Sequence, residues 1–180
     1  MANAKYALPS FLVRRCSHEV YARWLDRKAK AHIRRDRKRG NESAMRETYM
    51  RAIHEAVMAS DGKDAYTGEQ LAWELISTYD NETSKAGRRE YKKSFWLLPT
   101  VDHVGDGLSA PNFRICSWRS NDCKNDLSSD ELLDFCRAVL AHHKTGEEVI
   151  EVKHVHIRDK PPEVARTVAG GPREASDHRK

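Results

Sequence analysis

The segment that most limits what this chain can become runs from Phe95 to Asp126. "FWLLPTVDHV" reads as a short apolar strand over Phe95 to Val104, "GDGLSAP" breaks it, and strand signal resumes from Asn112 to Trp118. A helix begins near Ser120, so the stretch proposes strand, loop, strand, helix. Polar residues punctuate it at regular intervals. Asp102 and His103 end the first strand, Asn112 opens the second nine residues after His103, and Asn121 lies nine beyond Asn112. Lys124 and Asn125 follow Asn121 at helical spacing, so one helix face carries all three back toward the hairpin.

The flanking segments are helical. From Ser17 to about Arg39, Tyr21, Leu25, Ala29 and Ile33 recur every four residues, with Ser17 placed as a cap and Gly40 as a stop. Arg23, Arg27, Lys30, Arg34 and Lys38 form a second, basic stripe on the same helix. A net charge of +5 hides how local this is: residues 1–40 hold twelve Lys and Arg against three Asp and Glu, a local +9, leaving −4 for the remainder. Like charges at four-residue spacing cost helix stability unless something neutralises them, and double-stranded nucleic acid is the obvious polyanion. A second helix, from about Ser43 to Ser60, carries Met45, Tyr49, Ala52, Ile53, Ala56 and Val57 as its apolar stripe and completes a helical hairpin. "YTGE" marks a turn before Leu71 and Trp73, "STYDNETSKAGRREYKKS" reads as a polar loop with one helical turn, and "SSDELLDFCRAVLAHH" opens on a capping box. Trp73, Phe95, Trp96, Trp118 and the helix after Ser128 are the expected core. "EVIEVKHVHI" is a late strand candidate and "AGGPREASDHRK" a disordered tail.

The expected fold class is α+β, mainly helical, with the strand, strand, helix unit at its centre and the basic hairpin before it. Its expected divisions are 1–62 as basic helical region, 63–146 as core, 147–168 as late strand and loop, and 169–180 as tail. No apolar run reaches the length of a membrane span and the N-terminus lacks a signal-peptide core, so a cytoplasmic protein is expected. Cys16, Cys116, Cys123 and Cys136 form no Cys-x-x-Cys pair, which argues for reduced, mostly buried thiols and against both a disulfide framework and a zinc ribbon.

The polar set of the central unit suits metal-assisted phosphodiester cleavage. A hard cation such as Mg²⁺ takes oxygen ligands and keeps several waters; Asp102 offers the anion, and Asn121, with Asn125, offers amide oxygens. His103 titrates near neutrality and can take a proton from an attacking water. Lys124 and Arg119 are placed to hold phosphate oxygens, and Asn112 to brace the interstrand loop.

"PTVDHV" followed by "NFRICSWRSNDCKND" resembles the ββα-metal motif of HNH endonucleases. The resemblance implies His103 as general base, Asp102 and Asn121 as metal ligands, and Asn112 as the structural member of the motif. It covers about thirty residues. Many members of that family carry two zinc-binding Cys-x-x-Cys pairs; here "YTGE" stands where the first would be, and Cys116 and Cys123 are too far apart for the second, so no structural zinc is expected. Asn at the third motif position favours Mg²⁺ or Mn²⁺ over softer ions. The expected function is therefore metal-dependent hydrolysis of DNA, with duplex DNA held by Arg23, Arg27, Lys30, Arg34 and Lys38. The alternative is a catalytically inactive nucleic-acid-binding module on the same frame. Phosphate contacts do not distinguish sugars, so RNA stays open as a substrate, and cutting both strands with one such site needs a homodimer or two visits.

Overall fold

The computed structural model describes residues 5–143. The late strand and the tail expected after residue 147 lie outside the described residues. Helix α1 spans His18–Lys38 and α2 spans Arg46–Ser60. The Ser17 hydroxyl accepts the Val20 amide at 3.3 Å and so caps α1 at the expected residue. All four residues of the expected apolar face, Tyr21, Leu25, Ala29 and Ile33, are buried, joined by Trp24. On α2, Tyr49, Ile53 and Val57 are buried, but Met45 is the residue before the helix and stands exposed.

Strands β1, Pro99–His103, and β2, Phe113–Ser117, pair antiparallel with Val101 opposite Ile115, Asp102 opposite Arg114 and His103 opposite Phe113. Both are shorter than the apolar runs suggested, because Phe95 to Leu98 turn before the sheet and Trp118 already begins the next helix. Helix α4, Trp118–Lys124, follows β2 without a linker. Its start is fixed by Ser117, whose hydroxyl accepts the Ser120 amide, and by the buried Asp64 carboxylate, which accepts the Ser117 amide at 2.8 Å and the Ser120 hydroxyl at 2.7 Å. Burial alone would raise the Asp64 pKa; the hydrogen bonds from Ser117, Ser120 and the Tyr66 amide outweigh it and hold the carboxyl below its usual range. Asp64 thereby ties the turn at Thr67 and Gly68 to the base of α4.

One hydrophobic cluster joins the helical hairpin, the segment around Trp73 and the sheet. Leu12, Trp24, Ile53, Trp73, Val101, Phe113 and Ile115 belong to it, so the helical hairpin packs directly on the sheet and shares its core. The boundary at residue 62 thus separates elements of one core. Each fully buried large side chain contributes about 1.5–3 kcal/mol. The fold is α+β and mainly helical.

Four expectations are corrected. The polar stretch after Ser77 forms a helix of thirteen residues, α3, Asn81–Lys93, capped by Asp80. It is kinked at Arg88 (φ 44°, ψ −125°), a backbone position that costs a non-glycine residue ~1–3 kcal/mol. Its sequence shows no apolar stripe because it meets the aromatic cluster of Tyr79, Phe95 and Trp118 through Tyr91 and through the buried Ser84, whose hydroxyl accepts that of Tyr79. The second correction concerns Trp96, which is 42% exposed and belongs to the surface. The third concerns α5, Ser129–His143: its capping box forms as expected between Ser128 and Glu131, yet it buries no residue, and Phe135, Val139 and Leu140 are exposed. The thiols also divide evenly, Cys116 buried and Cys16 half-buried, with Cys123 and Cys136 exposed.

Candidate functional site

The end of β1, the face of α4 and the C-terminal half of α1 enclose a polar cleft of about 360 Å³. Asp102, His103, Asn121, Lys124 and Asn125 all line it, so five of the side chains singled out in the central segment come together. Alternation along β1 sends Asp102 and His103 to different partners, as expected of neighbours on a strand.

Asp102 is buried and faces α4. Its carboxylate accepts the Tyr66 hydroxyl and lies 3.3 Å from the Lys124 ammonium, which is itself buried. Burial, and after it the bond to Asp102, pushes the Tyr66 phenol up, so it stays protonated and donates. His103 faces α1. Its Nε2 is 3.2 Å from Oδ2 of Asp36, a fully buried carboxylate that also accepts the Tyr49 hydroxyl at 2.6 Å. Burial and the bond to Asp36 raise the Tyr49 phenol in the same way. The cleft is therefore built on two acid–tyrosine pairs, one on each side of the strand end.

The His103 ring is close to Asp36 yet out of line with it. Asp36 Oδ1 and both ring nitrogens of His103 are buried without a hydrogen-bond partner among the described residues. Arg39 approaches Oδ1 only to 3.6 Å. Unsatisfied buried polar atoms are costly and rare in folded proteins, so three together set this wall of the cleft apart from the rest of the core. Gly107 forms part of that wall; a Cβ there would stand 2.6 Å from Asp36 Oδ1, and its backbone is left-handed at φ +78°. His32 lies flat against His103, ring centroids 5.9 Å apart and 27° between planes, with Phe113 against both rings. Burial, followed by the Arg35 guanidinium and His103, lowers His32 to about 3, so it is a neutral neighbour at pH 7.

The oxygen donors expected to hold an ion, the Asp102 carboxylate and the Asn121 and Asn125 amides, line the cleft together with the carboxylates of Asp36, Asp122 and Asp126. Among the described residues no three side chains of His, Cys, Asp and Glu gather at one point. One carboxylate with one or two amides fits a hard ion that retains its waters, such as Mg²⁺. Lys124 already neutralises that carboxylate, so an ion at Asp102 competes with the ammonium.

Other expected site residues lie elsewhere. The Asn112 side chain is exposed and makes no hydrogen bond among the described residues; its backbone carbonyl receives the Val104 amide at 2.9 Å, and the loop is braced by Asp106 and by the Asn41 amide, which donates to the Gly107 carbonyl. Arg119 points away from the cleft, bonding Glu69 and covering the Trp96 ring at 5.6 Å. Arg23, Arg27, Lys30, Arg34 and Lys38 are all exposed, with Lys30 paired to Asp26 at 2.8 Å. At 100° per residue this stripe is centred about 140° around α1 from the line of His32, Arg35 and Arg39 that borders the cleft. It lies on the far side of the helix. Asp36 and His32 were not anticipated, although both continue the buried face of Ala29 and Ile33, where an acid and an imidazole on an apolar stripe are the signal.

Comparison with protein-family models, with curated proteins and with solved structures finds no match to this chain. Among the described residues no helix is long and apolar enough to cross a membrane.

Proposed function

We propose that this chain is a metal-dependent endonuclease of the ββα type that hydrolyses phosphodiester bonds in DNA. The observation that carries the reading is the convergence of Asp102, His103, Asn121 and Lys124 on one cleft by a strand, strand, helix succession with no insertion between strand and helix. His103, whose ring nitrogens are buried and without a hydrogen-bond partner among the described residues, is the proposed general base and takes the proton of an attacking water once a ring nitrogen is brought to face the cleft. Asp36, behind it, stabilises the imidazolium that forms, while Tyr49 fixes the carboxylate by hydrogen bonding. Asp102 and Asn121 would hold the divalent ion, which would supply charge stabilisation on the phosphate and the leaving oxygen. Lys124 gives a second positive charge to the same phosphate. Duplex DNA remains the proposed substrate and a dimer the proposed route to cutting both strands.

One observation favours a second reading, a nucleic-acid-binding module without turnover: Lys124 sits where the ion is needed, 3.3 Å from Asp102. Supercoiled plasmid incubated with Mg²⁺, Mn²⁺ or EDTA separates the two. The nuclease reading expects nicked or linear product with either ion, none in EDTA, and loss of product in His103→Ala and Asn121→Ala. Intact plasmid with both ions, or undiminished cutting by His103→Ala, leaves only the binding module.

A further inference from the structure

A second cleft, of about 680 Å³, lies on the other side of α4. Lys85, Arg88, Arg89 and Lys92 of α3 line it, together with Trp96 and Arg119. Glu82 neutralises Lys85 at 2.7 Å and Glu69 neutralises Arg119, whereas Arg88, Arg89 and Lys92 have no ion pair among the described residues. Three uncompensated cations within five residues repel one another, and the kink at Arg88 adds backbone strain at the same place. The repulsion is relieved when an anion lies along the wall. The lining is also aromatic: Trp96 is 42% exposed, with the Arg119 guanidinium over its ring. A row of free cations beside an exposed indole is the chemistry that holds phosphates on one side and stacks bases on the other.

We infer that this groove binds a single strand of nucleic acid, such as an unpaired end of the proposed duplex substrate, and delivers it to the candidate site. Asp122 borders both clefts, so they are separated only by the width of α4, about 10–12 Å. A few nucleotides cover that distance. The strand lies along α3 with its phosphates on Arg88, Arg89 and Lys92 and a base against Trp96, then crosses α4 toward Asp102 and His103. An acidic protein segment meets the charge of the groove but leaves the indole unused. Delivery to the site rests on the nuclease reading; binding in the groove does not.

Fluorescence anisotropy in EDTA, where no cleavage intervenes, tests it with labelled oligothymidylate, oligouridylate, a hairpin duplex and polyglutamate. Arg89→Glu with Lys92→Glu is expected to weaken oligothymidylate binding by tenfold or more, and the matching Ala pair to reduce the slope of log affinity against log salt by about 1.4. Trp96→Ala, at an exposed position, is expected to weaken it roughly tenfold while leaving the thermal melt unchanged. The two single strands report whether the sugar matters to a groove that reads phosphate and base stacking. Unchanged affinity and slope in both sets of variants overturns the inference even if plasmid is cut normally. Polyglutamate binding as tightly as oligothymidylate, with no loss in Trp96→Ala, overturns it in favour of an acidic protein. Single-strand binding lost in the variants, beside a parent that never cuts plasmid, keeps the groove and removes the nuclease.

Discussion

His103 Nε2 lies 3.2 Å from Oδ2 of Asp36, so the side chain at the end of β1 is backed by a carboxylate from α1. The two elements are far apart in sequence and meet because the apolar face of α1 packs on the sheet. Asp36 follows Ile33 on that face and is carried into the core with it, where Tyr49 and the close backbone of Gly107 hold it. A buried carboxylate without a full set of partners is a liability for stability. Its position beside an imidazole gives that liability a use.

Asp36→Asn keeps the shape and removes the charge. Under the proposed mechanism it lowers kcat for plasmid nicking by roughly 10–100-fold and leaves KM within about twofold, since the group acts on His103 and not on substrate. Tyr49→Phe, which leaves the charge in place but releases the carboxylate, has a smaller effect in the same direction. Steady-state kinetics on both variants check this; a change confined to KM removes Asp36 from the mechanism.

Lys124 and Asp102 make a buried pair, and removing one partner strands the other. Lys124→Met is expected to cost about 3 kcal/mol of stability in urea titration at pH 7, because Asp102 then keeps only Tyr66. The same variant is expected to bind Mn²⁺ more tightly than the parent, measured by electron paramagnetic resonance, because the competing ammonium has gone. Weaker Mn²⁺ binding in Lys124→Met would place the ion away from Asp102.

Where a contact is local, the chain declared it. Ser17, the four-residue spacing from Tyr21 to Ile33, and the capping box at Ser128 depend on residues within one or two turns, and each forms as read. The break at "GDGLSAP" between two apolar runs likewise gives the antiparallel pairing of β1 and β2. Helical periodicity, however, identifies a helix without identifying what covers it: α5 has the stripe and no buried residue. The reverse holds for α3, whose anchors, Tyr79, Phe95 and Trp118, lie outside the helix, so its own residues look like a loop. In the cleft, the residues within the strand, strand, helix unit were legible from type and spacing. Asp36, Tyr49 and Tyr66 were not, because their relation to His103 and Asp102 exists only after distant elements pack.

The exposed stripe on α1 faces away from the cleft, which makes a prediction about substrate length. Arg27→Ala, Arg34→Ala and Lys38→Ala together are expected to weaken binding to a long duplex, irrespective of its sequence, and to reduce its salt dependence by about 2.7 in slope. Cleavage of a short oligonucleotide that fills only the cleft and its neighbouring groove is expected to stay the same. Titrating both substrates against salt checks the pair of outcomes; equal losses on both would put the stripe on the path of the scissile strand itself.

His32 makes folding sensitive to mild acid. It is buried between His103 and Phe113, beside Arg35, and its pKa in the folded chain is about 3 against an ordinary 6.5. In the unfolded chain it takes up a proton as pH falls through 6.5, whereas the folded chain refuses one until about pH 3. The unfolded state therefore binds more protons across that window, and stability falls with pH by up to about 1.4 kcal/mol per unit. The full contribution of the neutral ring is present above pH 7. Carboxylates such as Asp64, whose folded pKa is also lowered, add their own loss only near and below pH 4, so the interval from 6.5 to 5 reports imidazoles, among them His54, which burial also lowers, and the comparison with a His32 variant singles out His32. His32→Gln keeps a neutral polar side chain that does not titrate. Urea unfolding at half-unit steps through that interval is expected to show the parent losing stability by about one proton's worth more than His32→Gln. Parallel curves would mean that His32 takes its proton in the folded state, and with it that the ring stacked on His103 is charged.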